Sequence, residues 1–277
     1  MPPTILSAPR RGTMLLAAVA LFITASTPPP LAAQDQPLER FERTLPLAAG
    51  GSFSLSNVNG SVQIEGWDRE EVQVSAIKAS AGGVEELDRV QIAVSQSLDA
   101  ISVETRYPQG GGAEVSVEYH VRVPARVRLA LVRTVNGSVA VRNVTGAGRL
   151  VAINGNVVLA RGAGCFSARA TNGNISLELV SLEGGLTSAK GARAGPSCGG
   201  ISGQTVNGSV VVALPADAGA DLEARTQNGD FSSDVPLLAE TSAAGRVIRG
   251  RIGAGGPAVV LRTVNGSIRL RIARPLV

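Results

Sequence analysis

Histidine, cysteine and aromatic residues are scarce in this 277-residue chain, which holds one His, two Cys, one Trp and two Tyr. A single histidine and no close cysteine pair argue against a zinc site, which usually takes about four such ligands. So few rings leave no stacking platform for sugars or bases. Lysine is rarer than arginine: Lys78 and Lys190 are the two, and the arginines are scattered. A nucleic-acid partner would want a clustered basic stripe, so none is expected. No residue pattern calls for a cofactor. After the N-terminal segment no run reaches about 18 apolar residues, so no transmembrane segment is expected in the mature chain.

That N-terminal segment has the order of a signal peptide. Arg10 and Arg11 are basic, Met14 to Ile23 is almost wholly apolar, and Leu31-Ala32-Ala33 offers a small-residue cleavage site before Gln34. The apolar run is shorter than the about 20 residues a spanning helix needs. Cleavage is expected after Ala33, with a retained anchor as the other reading. The residues around the arginine pair fit a twin-arginine signal poorly. The net charge of +4 falls to +2 when Arg10 and Arg11 leave, which is near neutral. Export places the mature chain in the periplasm, at the cell surface or outside the cell.

An Asn-Gly dipeptide then recurs, at Asn59, Asn136, Asn154, Asn172, Asn207, Asn228 and Asn265, with spacings of 77, 18, 18, 35, 21 and 37 residues. The residue after Gly is always small and polar, and the next is always apolar: Val62, Val139, Val157, Ile175, Val210, Phe231 and Ile268. Apolar residues at every second position, rich in Val and Ile, mark strands with one buried face. Asn-Gly tolerates positive φ and makes a tight corner before each strand.

Two architectures fit, a meander of hairpins with Asn-Gly turns and a β-solenoid with one corner per coil. Open twisted sheets beyond about ten strands are uncommon, which favours the solenoid. The expectation is an all-β, elongated β-solenoid with coils of about 18–21 residues. Residues 1–33 form the signal, 34–130 a less regular N-terminal β region and 131–277 the regular repeats. Val84 to Arg89 reads as one helical turn, and Thr241 to Ala258 as an irregular coil or surface loop.

The runs Val117-Glu118-Tyr119-His120-Val121-Arg122-Val123-Pro124 and Leu131-Val132-Arg133-Thr134-Val135-Asn136-Gly137-Ser138-Val139 stand in that order. Later come Asp221-Leu222-Glu223-Ala224-Arg225-Thr226-Gln227-Asn228-Gly229-Asp230 and Val259-Val260-Leu261-Arg262-Thr263-Val264-Asn265-Gly266-Ser267-Ile268. With Gly60 to Trp67 as an opening strand, this resembles the bacterial "putative adhesin" family of exported β-repeat domains. The resemblance covers about Phe41 to Ile272. It implies a β-solenoid-like fold at the cell envelope and carries over no catalytic residue.

Candidates for chemistry are few. The pairs Glu70–Glu71 and Glu85–Glu86 are adjacent, and adjacent strand residues point to opposite faces, so they do not converge as a glycosidase pair would. His120 alternates within a strand, with no nucleophile implied beside it. Asn228-Gly229-Asp230 falls short of a repeat-type calcium motif. The sequons at Asn59, Asn136, Asn143, Asn174, Asn207 and Asn265 mostly coincide with the corner, so turn geometry accounts for them. Arg133, Arg169, Arg225 and Arg262 stand three residues before a corner asparagine and would line one outer face. They could bind anionic polysaccharide or lipid head groups, or serve as a solubilising face that guards strand edges.

Cys165 and Cys198 can pair in an oxidising compartment. If Lys190-Gly191 is a degenerate corner, 173–206 forms an extra coil and the two lie too far apart. If Gly184 to Gly200 leaves the stack as a glycine-rich loop, they can bond, and a disulfide is expected. The functional expectation is a non-catalytic, adhesin-like envelope protein with a surface partner. A polysaccharide-binding or polysaccharide-processing β-helix is the alternative.

Overall fold

The computed structural model describes residues 37–108, 114–182, 199–241 and 247–273. The expected signal segment, Cys198 and Lys190 lie outside the described residues. Among the described residues no helix is long and apolar enough to cross a membrane.

The chain opens with β1 (Leu38–Pro46), β2 (Ser52–Ser56), β3 (Val62–Trp67), β4 (Glu71–Ser80), the helical turn α1 (Val84–Arg89), β5 (Gln91–Gln96), β6 (Ala100–Arg106) and β7 (Val115–Pro124). Then come β8 (Arg126–Asn136), β9 (Val139–Arg142), β10 (Thr145–Asn154), β11 (Val157–Asn172) and β12 (Ile175–Ser181). The last third holds β13 (Ile201–Asn207), β14 (Val210–Leu214), β15 (Ala220–Asn228), β16 (Phe231–Ser233), β17 (Leu237–Thr241), β18 (Val247–Ile252), β19 (Ala258–Asn265) and β20 (Ile268–Ile272). The fold is all-β: these strands join in one 20-stranded, curled sheet. The boundary expected after residue 130 falls inside β8.

Each Asn-Gly corner joins two parallel ladders. One ladder runs β6, β2, β8, β10, β11, β13, β19, β15, and the other runs β7, β3, β9, β11, β12, β14, β20, β16. Strand β11 is long enough to serve both. The register is set by the inward valines. Val62, Val139, Val157, Ile175, Val210 and Ile268 stand opposite one another in successive layers and are fully buried. A one-residue slip would turn all of them to solvent, so the period-2 pattern fixes the pairing.

Layer order departs from chain order at both ends. The corner asparagines stack as 59, 136, 154, 172, 207, 265, 228. The final strand pair, β19–β20, is inserted between β13–β14 and β15–β16. The first, β2–β3, is likewise held between β6–β7 and β8–β9. Strand pairs stacked strictly in chain order would leave the last pair as a bare edge; here the first and last Asn-Gly strand pairs are each flanked on two sides. Antiparallel strands then close the ends: β18 and β17 on β15, β5 on β6, and β4 and β1 on β7. The outermost strands are then β1, β5 and β17, each paired on one side among the described residues. The segment 241–258, expected as a loop or irregular coil, thus contains a regular strand, β18, because its pairing partner lies in β15 rather than nearby in sequence.

The 35-residue gap is resolved by register. Asn207 donates directly to Asn172, and Ser202 pairs with Ser167, so the layers of Asn172 and Asn207 are adjacent.

The N-terminal end is built differently from the middle. Lys78, buried on β4, donates to Glu39 on β1 at 2.9 Å and to the Leu87 carbonyl on α1 at 3.1 Å. Burial pushes the Tyr119 hydroxyl up to about 12, against the opposing pull of its 2.6 Å hydrogen bond with Thr105.

Candidate functional site: an outer face of stacked arginines

Along the first ladder, side chains alternate about each corner. Two residues before the corner asparagine the side chain points inward. Thr134, Thr205, Thr226 and Thr263 fill that position and are buried. Each hydroxyl donates to the corner-glycine carbonyl of an adjoining layer, at 2.8–2.9 Å. This threonine use is visible in the sequence as Thr-x-Asn-Gly, but its role depends on the stacking.

Three residues before the asparagine the side chain points outward. In layer order the column reads Ser56, Arg133, Val151, Arg169, Gln204, Arg262, Arg225. The four expected arginines do share this column, but not as a continuous ladder. Val151 separates Arg133 from Arg169, Gln204 separates Arg169 from Arg262, and Arg262 and Arg225 are neighbours. Layers in a sheet lie about 4.8 Å apart, so the arginine spacing is about 10, 10 and 5 Å.

Arg169, Arg225 and Arg262 line an open cleft of about 630 Å³, with Gln204, Gln227, Val206 and Val264. Arg133 lies outside it. No acid lines the cleft, but one stands at its edge: Arg262 donates to Glu223 at 3.0 Å, and Arg249 lies 3.6 Å from the same carboxylate. The Arg262 hydrogen bond, then the charge of Arg249, holds Glu223 below the usual carboxylate range. The cleft therefore offers two unpaired guanidinium groups, Arg169 and Arg225, among the described residues.

A second groove, of about 420 Å³, crosses the other ladder near the N-terminal end. Its lining includes Glu42, Ser75, His120, Gln63, Glu65 and Arg142. Here the fold brings together residues that the sequence leaves apart. Ser75 stands directly opposite His120 across β4 and β7, and Glu42 opposite Ser75 across β1 and β4. Among the described residues no hydrogen bond joins Ser75 to His120. Nearby Trp67 is engaged by cations, with Arg69 and Arg122 5.0 and 5.7 Å from its ring centroid. The pairs Glu70–Glu71 and Glu85–Glu86 are in neither cavity. No group of three or more His, Cys, Asp or Glu residues suited to a metal occurs among the described residues.

Cys165 is half-buried on β11. Its expected partner, Cys198, lies outside the described residues, and the bond between them stands as a proposal.

No family model and no curated protein matches the sequence. Among solved structures the chain is similar to a "putative cell adhesion protein" from Clostridium sporogenes, at 10% identity and TM-score 0.42 over 84% of this chain and 99% of that one. It is also similar to a "putative adhesin" from Bacteroides fragilis, at 8% identity and TM-score 0.35 over 84% and 97%. A third, a "Putative lipid binding protein" from Parabacteroides distasonis, shares 10% identity with TM-score 0.28 over 83% and 96%. Likeness at this level transfers neither ligand nor partner.

Proposed function

We propose that this chain is an exported, non-catalytic interaction protein of the cell envelope, working in the periplasm, at the cell surface or outside the cell. The basic, apolar and small-residue order of residues 10–33 supports export. Its middle acts as a solenoid-like stack that presents rows of equivalent side chains, in keeping with the family resemblance. The ligand is an extended acidic glycan lying along the outer face. The observation that carries this reading is the acid-free cleft, where Arg169 and Arg225 stand among Gln204, Gln227 and valines at layer spacing. A polymer with regularly placed carboxylates or sulfates can meet several guanidinium groups at once, each as a charge-assisted hydrogen bond. The test is retention on immobilised acidic and neutral polysaccharides across a salt gradient. Acid-selective, salt-sensitive retention that is lost in the Arg169→Ala, Arg225→Ala double variant supports the reading. Equal retention by the double variant overturns it.

The second reading is a polysaccharide-processing groove, favoured by the apposition of Ser75 and His120 beside Glu42 and Glu65. Polysaccharide cleavage that His120→Ala abolishes would establish that reading in place of the first.

A further inference from the structure

The corner asparagines form a continuous column of amides. Each Nδ2 donates to the Oδ1 of the next layer at 2.8–2.9 Å, from Asn136 to Asn59, then Asn154, Asn172, Asn207 and Asn265 in turn, ending with Asn228 on Asn265. The corner glycines form a second column in the opposite sense. The backbone N–H of Gly60, Gly137, Gly155, Gly173, Gly208 and Gly266 each donates to the asparagine carbonyl of the following layer, at 2.8–3.0 Å. Asn228 is the last layer of the column among the described residues. Among the described residues its N–H has no acceptor. It is also an exposed corner glycine, the other six being half-buried.

We infer that Asn228–Gly229, at the open end of this column, is a built-in site of spontaneous deamidation, and that the six stacked Asn–Gly pairs are held against it. The chemistry needs no catalyst. The Gly229 nitrogen gives up its proton to solvent base and attacks Asn228 Cγ. The N–Cγ bond forms, the Cγ–Nδ2 bond breaks, and the nitrogen leaves as ammonia after taking a proton from water. The resulting five-membered imide adds one water and opens at either carbonyl, to aspartate or isoaspartate. The net change is amide plus water to acid plus ammonia.

In the six stacked pairs the attacking nitrogen is tied in a hydrogen bond and partly shielded from base. Both must be undone before attack. Breaking one such bond costs about 1 kcal/mol, or roughly fivefold in rate. At Gly229 there is no such bond to break. The product also has a structural consequence. A carboxylate at 228 cannot donate to Asn265 Oδ1, so the terminal rung of the column is lost. Isoaspartate further lengthens the backbone at a corner where a Cβ on Gly229 would already lie 2.0 Å from the Gly266 carbonyl oxygen.

The folded full chain is aged in mildly alkaline buffer, beside a sample in concentrated urea, and both are digested at intervals and read by mass spectrometry. In the folded sample, acid at 228 should lead each of the other six positions by roughly fivefold or more, and in urea the seven should draw level. Level accumulation in the folded chain, or a lead by a stacked position, overturns the inference. So does an undiminished lead of 228 in urea, since local sequence rather than the column would then set the order.

Discussion

The middle layers and the N-terminal end hold themselves together in different ways. From β8 to β14 the same few contacts return in every layer: an inward valine or isoleucine on its counterpart, a corner amide on a corner amide, a glycine against a carbonyl. At the N-terminal end the contacts are singular: Lys78 with Glu39 and the Leu87 carbonyl, Thr105 with Tyr119, a buried Asn57 reaching three carbonyls. Repetition makes a stack extensible, each layer depending on its neighbours. Singular contacts close it. A substitution in the middle should therefore act through a shared spacing, and one at the end through a particular partner.

The largest expected effect concerns the chain between Cys165 and Cys198. If Cys165 and Cys198 are bonded, closing that loop stabilises by roughly 3–4 kcal/mol in the chain-entropy model. The unreduced protein, denatured and alkylated, should take up no label. Two labelled thiols would remove the bond.

Next come the corner glycines. A Cβ on Gly155 would lie 2.0 Å from the Gly137 carbonyl oxygen, with backbone on both sides of the clash. Gly155→Ala should cost about 3 kcal/mol, since the layers must part to admit it. Gly50, near the other end, has φ +88° and open space around it. Gly50→Ala should cost about 1 kcal/mol, from backbone strain alone. Equal losses in denaturant unfolding would show that layer spacing is not what the corner glycines protect.

A burial contrast follows. Val157→Ala should cost about 2 kcal/mol, from lost burial and a residual cavity, while Ser138→Ala on the outer side, which loses one exposed hydrogen bond accepted from the Asn156 N–H, should cost about 0.5 kcal/mol. Comparable losses would mean that the faces are assigned wrongly.

How much of this was legible in the sequence follows the same division. The seven corners, the inward valines and the outward arginine column all follow from a period read directly from the residues. The reason for the corner glycine does not: Asn-Gly reads as a turn, whereas in the stack a Cβ there would run into the carbonyl of the preceding layer. Which layers adjoin was also hidden. Arg262 and Arg225 became neighbours, and Glu223 reached Arg262, because β19 is inserted beside β15, a choice made by edge closure rather than by local pattern. The Ser75–His120 apposition depends likewise on antiparallel pairing of β4 with β7, two strands whose alternation alone names no partner. The second outer groove was therefore beyond reach, and the first was only partly foreseen.

The closed end makes its own prediction about pH. The Tyr119 hydroxyl is raised from 10.0 to about 12 by burial, so its folded value lies above its unfolded one. The neutral phenol is the form the fold favours. Stability from this group is fully present below about pH 10 and is lost as pH rises from there through about 12, because the unfolded chain ionises first. Two units correspond to about 2–3 kcal/mol at most. Tyr119→Phe should flatten the alkaline limb of the stability curve. An unchanged limb would show that the loss comes from other groups.

The smallest effect tests whether the asparagine column acts as separate rungs. Asn154 donates to Asn136 and accepts from Asn172, so Asn154→Ala removes two side-chain hydrogen bonds. Asn228 makes one, to Asn265, so Asn228→Ala removes one. All of these amides are exposed, and a lost bond is partly replaced by water, which puts each near the low end of the usual range, about 0.5 kcal/mol. Additive rungs then give about 1 kcal/mol for Asn154→Ala and half that for Asn228→Ala. Chains of hydrogen bonds can also polarise one another, in which case cutting the column in its middle costs more than twice what trimming its end does. Urea unfolding of the two variants and the parent, at matched slope, separates the cases. A ratio near two means independent rungs, and a clearly larger ratio means a cooperative column. Equal losses would mean that the amides contribute nothing beyond the backbone ladder, leaving the close approach at the corner glycines as what holds the layers in register.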